Sequence, residues 1–203
     1  MSRFLETIRI EEGKPMHLPW HQQRVEATLR HFYPGKISDA DVYPLFDILL
    51  SCRIPCEGTC RCRIRYDDNS LEVDFSPYEF HPVHSLRLIE APAGYNYAFK
   101  YTNRAVLEEL YSRRGHVDDI LITRNGYITD TSIANIAFRK GDRWYTPVHP
   151  LLAGTTWKRL VSSGTIIPRP IHTNDLHRFE AFLVFNAMRE WGEAEQRIEG
   201  IIS

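Results

Sequence analysis

Short strand-like segments separated by turns are the feature of this sequence that most restricts its fold. Residues 4–10 alternate apolar and polar side chains, which is the pattern of a strand with one buried face. Residues 60–66 and 71–78 repeat this alternation and, with residues 85–91, predict an antiparallel sheet. Further strands are predicted at residues 119–123, 127–129, 135–139, 143–146, 166–171 and 182–186.

Two of the predicted turns carry glycine at positions that favour tight hairpins. Arg124-Asn125-Gly126 separates residues 119–123 from 127–129, and Asn-Gly supplies the left-handed backbone that such a hairpin requires. Lys140-Gly141-Asp142 separates residues 135–139 from 143–146 in the same way. Both segments therefore predict antiparallel pairs.

Helical spacing of apolar residues accompanies the strands. Residues 20–33 place apolar side chains along one helix face. A second helix is predicted from Ser38, as its N-cap, to Cys52, with Asp41 in the acidic first turn. The remaining helices are predicted at residues 103–114 and 155–164.

The order of these elements predicts an α+β fold with two domains. Residues 1–93 would form a smaller α+β domain, and residues 94–203 a larger one. The proline and glycine of segment 91–94 make it the expected linker. A chain of 203 residues is long enough to bury a core in each half.

The charge balance argues for a small-molecule partner. Lysine and arginine total 25 and aspartate and glutamate total 26, which leaves a formal net charge of −1. This balance gives no indication of binding to nucleic acid or to a membrane surface. The sequence has no apolar run of the roughly 18 residues that a membrane span needs, and charge interrupts the first six residues too early for a secretory signal. A cytoplasmic location is therefore the expectation.

The four cysteines fall close together, at positions 52, 56, 60 and 62. Clustered thiolates suit zinc, but Cys60 and Cys62 alternate within one predicted strand and have no second pair of ligands in view. Reduced, buried thiols are the simpler interpretation, and we predict no metal site.

Four motifs spread along the chain together resemble one enzyme family. They are the strand 4–9 followed by His-Gln-Gln-Arg-Val at 21–25, the run Phe-Lys-Tyr-Thr-Asn-Arg at 99–104, residues 127–138, and Leu-Leu-Ala-Gly-Thr-Thr-Trp-Lys-Arg at 151–159. The combination resembles the class IV aminotransferase family, the fold type IV enzymes that use pyridoxal 5'-phosphate (PLP). The run at 99–104 is most similar to aminodeoxychorismate lyases.

The resemblance implies which residues hold the cofactor. Lys100 is implied as the catalytic residue that forms a Schiff base with PLP, for which its amine must lose a proton near neutral pH. Arg24 is implied at the phosphate, where the fork of a guanidinium matches phosphate oxygens. Thr155 and Thr156 are implied at the same phosphate, because the N-terminus of a helix attracts anions.

The resemblance also implies an acid at the pyridine nitrogen, where a carboxylate keeps that nitrogen protonated. Asp130 stands where the family has glutamate and is one methylene shorter, and Asn135 is retained in the cofactor-binding motif. For the substrate, the segment Asn186-Ala187-Met188-Arg189 is similar to a loop near the substrate carboxylate. Arg63, one of three arginines on one strand face, is a second candidate for that carboxylate.

Each of these residues alone also has a structural explanation. A helix arginine is usually solvated, a lysine beside aromatics often extends along the surface, and an aspartate at a strand end often caps a turn. The same applies to a threonine as N-cap and to an arginine stripe exposed to solvent. The residues concerned are Arg24, Lys100, Asp130, Thr155, Arg61, Arg63 and Arg65.

The family implies the remaining expectations. The expected architecture is that of the two-domain fold type IV enzymes, here shortened at the N-terminus, with the cofactor in the cleft between the domains. A homodimer is also expected, and the substrate is expected to be a small amine or amino acid. Two reactions fit: a lyase that forms 4-aminobenzoate and pyruvate from aminodeoxychorismate, or an aminotransferase of the branched-chain or D-amino acid type. A third possibility is a non-catalytic relative that binds PLP.

Overall fold

A computed structural model of the chain describes residues 3–35, 42–55, 57–189 and 191–202. It divides into two units. The first comprises Met1–Phe80 with Phe99–Asn103, and the second comprises His81–Ala98 with Arg104–Ser203. Residues 85–91 belong to the second unit.

The sheet of the first unit has four strands. They are β1 (Phe4–Glu11), β2 (Lys14–Pro15), β3 (Thr59–Tyr66) and β4 (Leu71–Pro77). Their order is β2-β1-β3-β4 and every pairing is antiparallel, as predicted for residues 60–66 and 71–78. β1 and β3 pair along their full lengths, from Phe4 opposite Tyr66 to Glu11 opposite Thr59.

Two helices accompany this sheet. α1 (Leu18–Phe32) matches the predicted helix at residues 20–33. α2 (Leu45–Leu50) is much shorter than the predicted helix from Ser38 to Cys52, and Ser38 and Asp41 lie outside the described residues. Pro44 precedes α2 as its N-cap. A proline has no N–H and its ring clashes with the preceding turn, so a helix cannot run through this position undisturbed.

The core of the first unit lies between α1 and the inner face of the sheet. Cys60 and Cys62 are buried on this face as free thiols, Cys52 is a half-buried free thiol, and Cys56 lies outside the described residues. Burial raises the pKa of the Cys62 thiol to about 12, helped by the nearby Cys52 and Asp74. The apolar core residues include Phe4, Ile8, Ile10, Val25, Leu29, Ile64 and Tyr66.

One sheet of the second unit contains two parallel pairs of strands. Its strands are β5 (Leu86–Glu90), β6 (Asp119–Arg124), β7 (Tyr127–Thr131) and β13 (Ile201–Ile202), in the order β13-β5-β6-β7. The prediction that residues 85–91 join an antiparallel sheet was wrong, because β5 pairs in parallel with both β6 and β13. The long connection from β5 to β6 contains helix α3 (Ala105–Ser112), and a parallel pair needs such a crossover.

The other sheet of the second unit positions helix α4 (Thr155–Ser162). Its strands are β8 (Asn135–Lys140), β9 (Arg143–Pro147), β10 (Ile167–Arg169), β11 (Ala181–Phe185) and β12 (Gln196–Arg197), in the order β10-β9-β8-β11-β12. One face packs against the β13-β5-β6-β7 sheet of the same unit through residues such as Leu121, Ile136, Phe138 and Phe182. The other face packs against α4 through Ala137, Leu160, Leu183 and Phe185. Because both faces are covered, residues 135–138 of β8 and all of β11 are buried, and apart from Asn135 they are apolar.

Both predicted glycine hairpins form, and one of them is sterically tight. Asn125 and Gly126 have φ values of 51° and 76°, and Gly141 has a φ of 56°. A Cβ atom on Gly126 would lie 2.5 Å from His172 Nε2, whereas a Cβ atom on Gly141 would meet nothing within 4 Å.

We therefore expect Gly126→Ala to lower the free energy of unfolding by about 1–3 kcal/mol, because it combines backbone strain with a clash. Gly141→Ala carries a similar backbone penalty and no clash, so it is the matched control. Denaturant unfolding of both variants measures the difference. Equal losses in the free energy of unfolding would show that the His172 side chain can move aside without destabilising the protein.

Candidate active site

A carboxylate lies inside the apolar core of the first unit. On β1, residues Phe4, Glu6, Ile8 and Ile10 face inwards, and Glu6 is 0% exposed. Burying a charge in such a setting is costly unless it is paired and hydrogen-bonded. The partners of Glu6 therefore determine whether this strand can fold.

Two residues of α1 supply those partners. Arg24 donates from Nε to Glu6 Oε1 at 2.7 Å and from Nη2 to Glu6 Oε2 at 2.6 Å, which is a bidentate pair. His21 Nδ1 lies 2.6 Å from the same Oε2. All three side chains are buried, so α1 and β1 are joined by a charged network within the core.

The protonation states of this network follow from its geometry. Burial acts to raise the pKa of Glu6, but the charge of Arg24 and the hydrogen bonds from His21 and Arg24 lower it to about 2. Burial lowers the pKa of His21, and the positive charges of Arg24 and Lys100 add to this effect against the influence of Glu6. An ionised Glu6 only accepts hydrogen bonds, so a neutral His21 must carry its proton on Nδ1.

Lys100 is held beside the same strand. The Leu5 backbone N–H donates to the Lys100 carbonyl at 2.9 Å, and the Thr102 N–H donates to the Arg3 carbonyl at 2.9 Å. Phe99 and Tyr101 pack against Phe32, with ring centroids 4.8 and 6.1 Å apart. Lys100 itself is half-buried, and its charge reaches His21. The first unit thus brings together Lys100 and Arg24, two of the predicted cofactor residues.

The second unit brings together two more of them, Asp130 and Asn135. Asp130 lies next to the last residue of β7, within its buried part, and is 5% exposed. Its Oδ1 accepts from Asn135 Nδ2 at 2.7 Å, and its Oδ2 accepts from the Leu152 N–H at 2.9 Å. Burial raises the pKa of Asp130 to about 7, against the hydrogen bonds from Leu152, Asn135 and the Leu151 backbone.

This network leads directly to the start of α4. Asn135 Nδ2 also donates to the Leu152 carbonyl at 2.8 Å, and Gly154 is the N-cap of α4. Thr155 and Thr156, the first residues of the helix, are 4% and 5% exposed. Within the described part of the chain, their backbone N–H groups have no hydrogen-bond acceptor. Buried N–H groups at a helix N-terminus suit an anion such as a phosphate.

These residues fit the requirements of PLP. The phosphate needs oriented donors, which the start of α4 offers, and the aldehyde needs a lysine held in place, which the 99–103 segment provides. An acidic side chain for the pyridine nitrogen is present in Asp130. Each unit by itself thus holds residue types that PLP requires: the first unit a lysine and an arginine, and the second a buried acid and a helix N-terminus.

The candidate substrate residues are placed differently. Arg63 faces away from the core on β3, opposite Thr7 of β1 and Asp74 of β4. Its neighbour Arg65 pairs with Asp74 at 2.8 Å, and Arg61 donates to Ser76 at 3.3 Å. The three arginines thus share an outward face with polar partners.

Arg189 is buried in the second unit. Its Nη2 donates to the His81 carbonyl at 3.0 Å. Asn186 Nδ2 donates to the Ile133 carbonyl at 3.2 Å, and Asn186 Oδ1 accepts from the Met188 N–H at 2.8 Å. Ala187 is half-buried between these residues. The 186–189 turn is thereby attached to the loop that joins β7 and β8.

Two residues of this site were not assigned a role from the sequence. Glu6 and His21 lie within the quoted motifs, yet the binding of both His21 and Arg24 to Glu6 depends on how α1 packs on β1. One signal was available, because Glu6 occupies an inward position of an otherwise apolar alternation. A charged residue at such a position predicts a buried partner.

The fold and these residues together define a class of protein: a two-unit α+β chain with a lysine held in the first unit, and a buried acid and a helix start with buried N–H groups in the second. The family model for class IV aminotransferases matches residues 3–196. The chain therefore belongs to the class IV aminotransferase family, whose members are PLP-dependent aminotransferases and lyases, and the predicted family and fold type are confirmed.

Several relatives carry related names. A provisionally named aminodeoxychorismate lyase of Schizosaccharomyces pombe is 33% identical over 211 residues, covering 93% of this chain and 87% of its own. The aminodeoxychorismate lyase of Bacillus subtilis is 25% identical over 216 residues, covering 92% and 71%. A crystal structure from Haemophilus somnus, provisionally named a 4-amino-4-deoxychorismate lyase, has a TM-score of 0.81 and 32% identity, with 93% and 97% covered.

A more distant structure shares the fold alone. A protein of Mycobacterium tuberculosis described as a hypothetical aminotransferase, solved with PLP bound, has a TM-score of 0.71 and 16% identity, covering 98% of this chain and 81% of its own. In this protein, no helix among residues 3–35, 42–55, 57–189 and 191–202 is long and apolar enough to cross a membrane.

Proposed function

We propose that this PLP-dependent enzyme is an aminodeoxychorismate lyase, which forms 4-aminobenzoate and pyruvate. The observation that carries the proposal is the run Lys100-Tyr101-Thr102-Asn103-Arg104, in which the resemblance to the lyases is strongest. Arg104 has a defined place in the structure, because its Nη2 donates to the Ser132 carbonyl at 2.8 Å in the loop between Asp130 and Asn135. Relatives above 30% identity with lyase names support the same assignment.

Lys100 has the central role in the proposed mechanism. When PLP is bound, the Lys100 amine would hold it covalently, and as a free amine Lys100 would be the base that takes a proton from the substrate carbon and returns one. The cofactor, when bound, supplies an electron sink for that carbon. Backbone hydrogen bonds to Leu5 and Arg3 hold this segment in place for both tasks.

The remaining residues hold the cofactor. Arg24, whose guanidinium is oriented by Glu6, is proposed at the phosphate together with Thr155 and Thr156. Asp130 is proposed at the pyridine nitrogen and Asn135 beside it. A protonated ring nitrogen would stabilise an ionised Asp130, so binding is expected to lower the pKa of this carboxyl from its raised value of about 7.

The substrate is proposed to be a small amine that carries a carboxylate. Arg189, with Asn186 and Ala187, and Arg63 are the proposed carboxylate contacts. Arg63 lies on the outward face of β3 and Arg189 is buried in the second unit. Single Arg→Lys changes keep the charge and remove the fork, so a rise in KM with an unchanged kcat would identify the residue in contact with substrate.

The reaction is tested with the purified enzyme and two sets of substrates. In the first, aminodeoxychorismate is supplied and both 4-aminobenzoate and pyruvate are measured. In the second, amino acids with 2-oxoglutarate are supplied and keto-acid exchange is measured. Release of 4-aminobenzoate without exchange is the expected result. Exchange without 4-aminobenzoate would instead identify an amino acid aminotransferase of the branched-chain or D-amino acid type.

A non-catalytic relative would give a different outcome. Such a protein would show a visible absorbance that borohydride removes, and no turnover on any amine. The homodimer that the resemblance implies stays a prediction, as does the cytoplasmic location. Light scattering after gel filtration measures the mass against 23.7 kDa for one chain.

A further inference from the structure

One side chain connects two parts of the proposed cofactor site within the second unit. Both carboxylate oxygens of Asp130 are engaged, Oδ1 by Asn135 Nδ2 and Oδ2 by the Leu152 N–H. Leu152 lies in the turn that leads into α4, whose first residues are Thr155 and Thr156. The carboxylate therefore spans from β7 to the turn that sets the position of the helix N-terminus.

Asn135 reinforces this connection from a second direction. Its Nδ2 donates both to Asp130 and to the Leu152 carbonyl, at 2.7 and 2.8 Å. Its Oδ1 lies against the backbone of Gly154, where a Cβ atom would stand only 2.5 Å away. Gly154 has φ −62° and ψ 159°, which any residue can adopt, so its small size here serves the contact with Asn135 rather than the backbone.

We propose that Asp130 is a positioning residue for the phosphate site: through Leu152 and Asn135 it fixes the turn before α4, so that Thr155 and Thr156 present their N–H groups to a phosphate. This inference rests on the proposed function and adds a second role to the residue proposed at the pyridine nitrogen. Both hydrogen bonds are made by the carboxylate of an aspartate, at a position where the family resemblance implies a glutamate.

Three variants test the connection in different ways. Asp130→Asn keeps the shape but has a single acceptor oxygen, so either Leu152 or Asn135 loses its partner. Asp130→Glu has the acid that the family usually carries, but its extra methylene pushes into a filled site. Gly154→Ala leaves the acid intact and displaces Asn135 by contact.

Asp119→Asn is the matched control. Asp119 is also a buried acid of the second unit, and its carboxyl accepts hydrogen bonds from the Ile120 N–H, Ser132 and Thr131. None of these donors belongs to the turn at residues 151–156. Melting temperatures of all four variants establish that they fold.

The first measurement is amide hydrogen exchange on the cofactor-free protein, which does not depend on PLP binding. The Leu151 and Leu152 amides are expected to exchange at least about tenfold faster in all three test variants than in the wild type or the control. Unchanged exchange in Asp130→Asn and Gly154→Ala would overturn the proposal.

The second measurement compares the affinities for PLP and for pyridoxal, which lacks the phosphate. We expect each test variant to lose at least about tenfold in PLP affinity. The loss in pyridoxal affinity is expected to be at least about threefold smaller than the loss in PLP affinity, because pyridoxal shares the ring contact of Asp130 but lacks the phosphate. Equal losses for both compounds, or full PLP affinity in Asp130→Glu, would place Asp130 at the ring only and overturn the inference while the proposed function stands. If the wild type bound no PLP at all, the proposed function would fail, and hydrogen exchange would still decide the role of Asp130.

Discussion

Lys100→Ala is expected to abolish catalysis, with a loss in kcat of at least about 10⁴-fold. Only a primary amine at this position can bond to the PLP aldehyde and then transfer the proton at the substrate carbon. Alanine supplies neither function, and water does not replace a positioned base. The same change removes a half-buried side chain and leaves the backbone hydrogen bonds of the segment intact, so the variant is expected to fold.

Mass spectrometry makes this prediction specific. After incubation with PLP and reduction with borohydride, the wild-type peptide that contains Lys100 is expected to carry a phosphopyridoxyl group. Lys140→Ala is the control, because Lys140 lies exposed at the tip of the β8–β9 hairpin. A stoichiometric adduct in Lys100→Ala, or loss of the adduct in Lys140→Ala, would contradict the assignment of Lys100.

Glu6→Gln is expected to produce the largest loss of stability, about 3–5 kcal/mol in the free energy of unfolding. Glutamine removes the negative charge and leaves the Arg24 guanidinium buried without its counter-charge. Glu72→Gln is the control: Glu72 pairs with Arg3 and Arg65 at the surface, with a side chain 56% exposed, and its loss is expected to cost less than about 1 kcal/mol. Chemical denaturation at pH 7 gives both values.

The same pair of variants predicts how stability depends on pH. The pKa of Glu6 is about 2 in the folded protein, whereas the ordinary value of a glutamate without these contacts, as in the unfolded chain, is 4.5. A lowered folded pKa means that the stabilisation is complete above pH 4.5 and is lost as the pH falls towards 2. The wild type should therefore lose more stability than Glu6→Gln over this range, by about 3 kcal/mol. Parallel pH curves for the two proteins would show that Glu6 is not ionised in the core.

Glu6 and Arg24 also show how the stability and the function of the first unit are linked. The carboxylate that neutralises Arg24 in the core also fixes the direction of its guanidinium, which is the group proposed at the phosphate. A variant that weakens this pair is therefore expected to affect folding and cofactor affinity together. Separating the two requires the PLP affinity of the folded fraction, measured well below the unfolding transition.

Much of the local structure was predictable because it depends on neighbouring residues. The hairpin at Asn125-Gly126 forms because these residues accept positive φ values. Helix α1 follows from its apolar spacing, and α4 from the glycine and threonines at its start. Among the described residues, the helix predicted from Ser38 to Cys52 forms only at Leu45–Leu50, because Pro44 cannot continue a helix through its position.

Pairing between distant segments was the part that local patterns could not give. β5 has the composition of an ordinary strand, and nothing within it shows that it pairs in parallel with β6 across a helical connection. The residue alternation on a strand indicates which face is buried but not which strand lies beside it. The expected antiparallel pairing failed for this reason.

By itself, the sequence determined the family, the residue types of the site and most of the secondary structure, because motifs and periodicity are properties of residues close together in the chain. Only the tertiary structure decided that Arg24 and His21 both bind Glu6, that Asp130 accepts a hydrogen bond from the turn before Thr155, and that residues 99–103 return to the first unit. Such contacts depend on how separate elements pack. Their energies come from burial and from charges brought close together, and neither is fixed until the chain has folded.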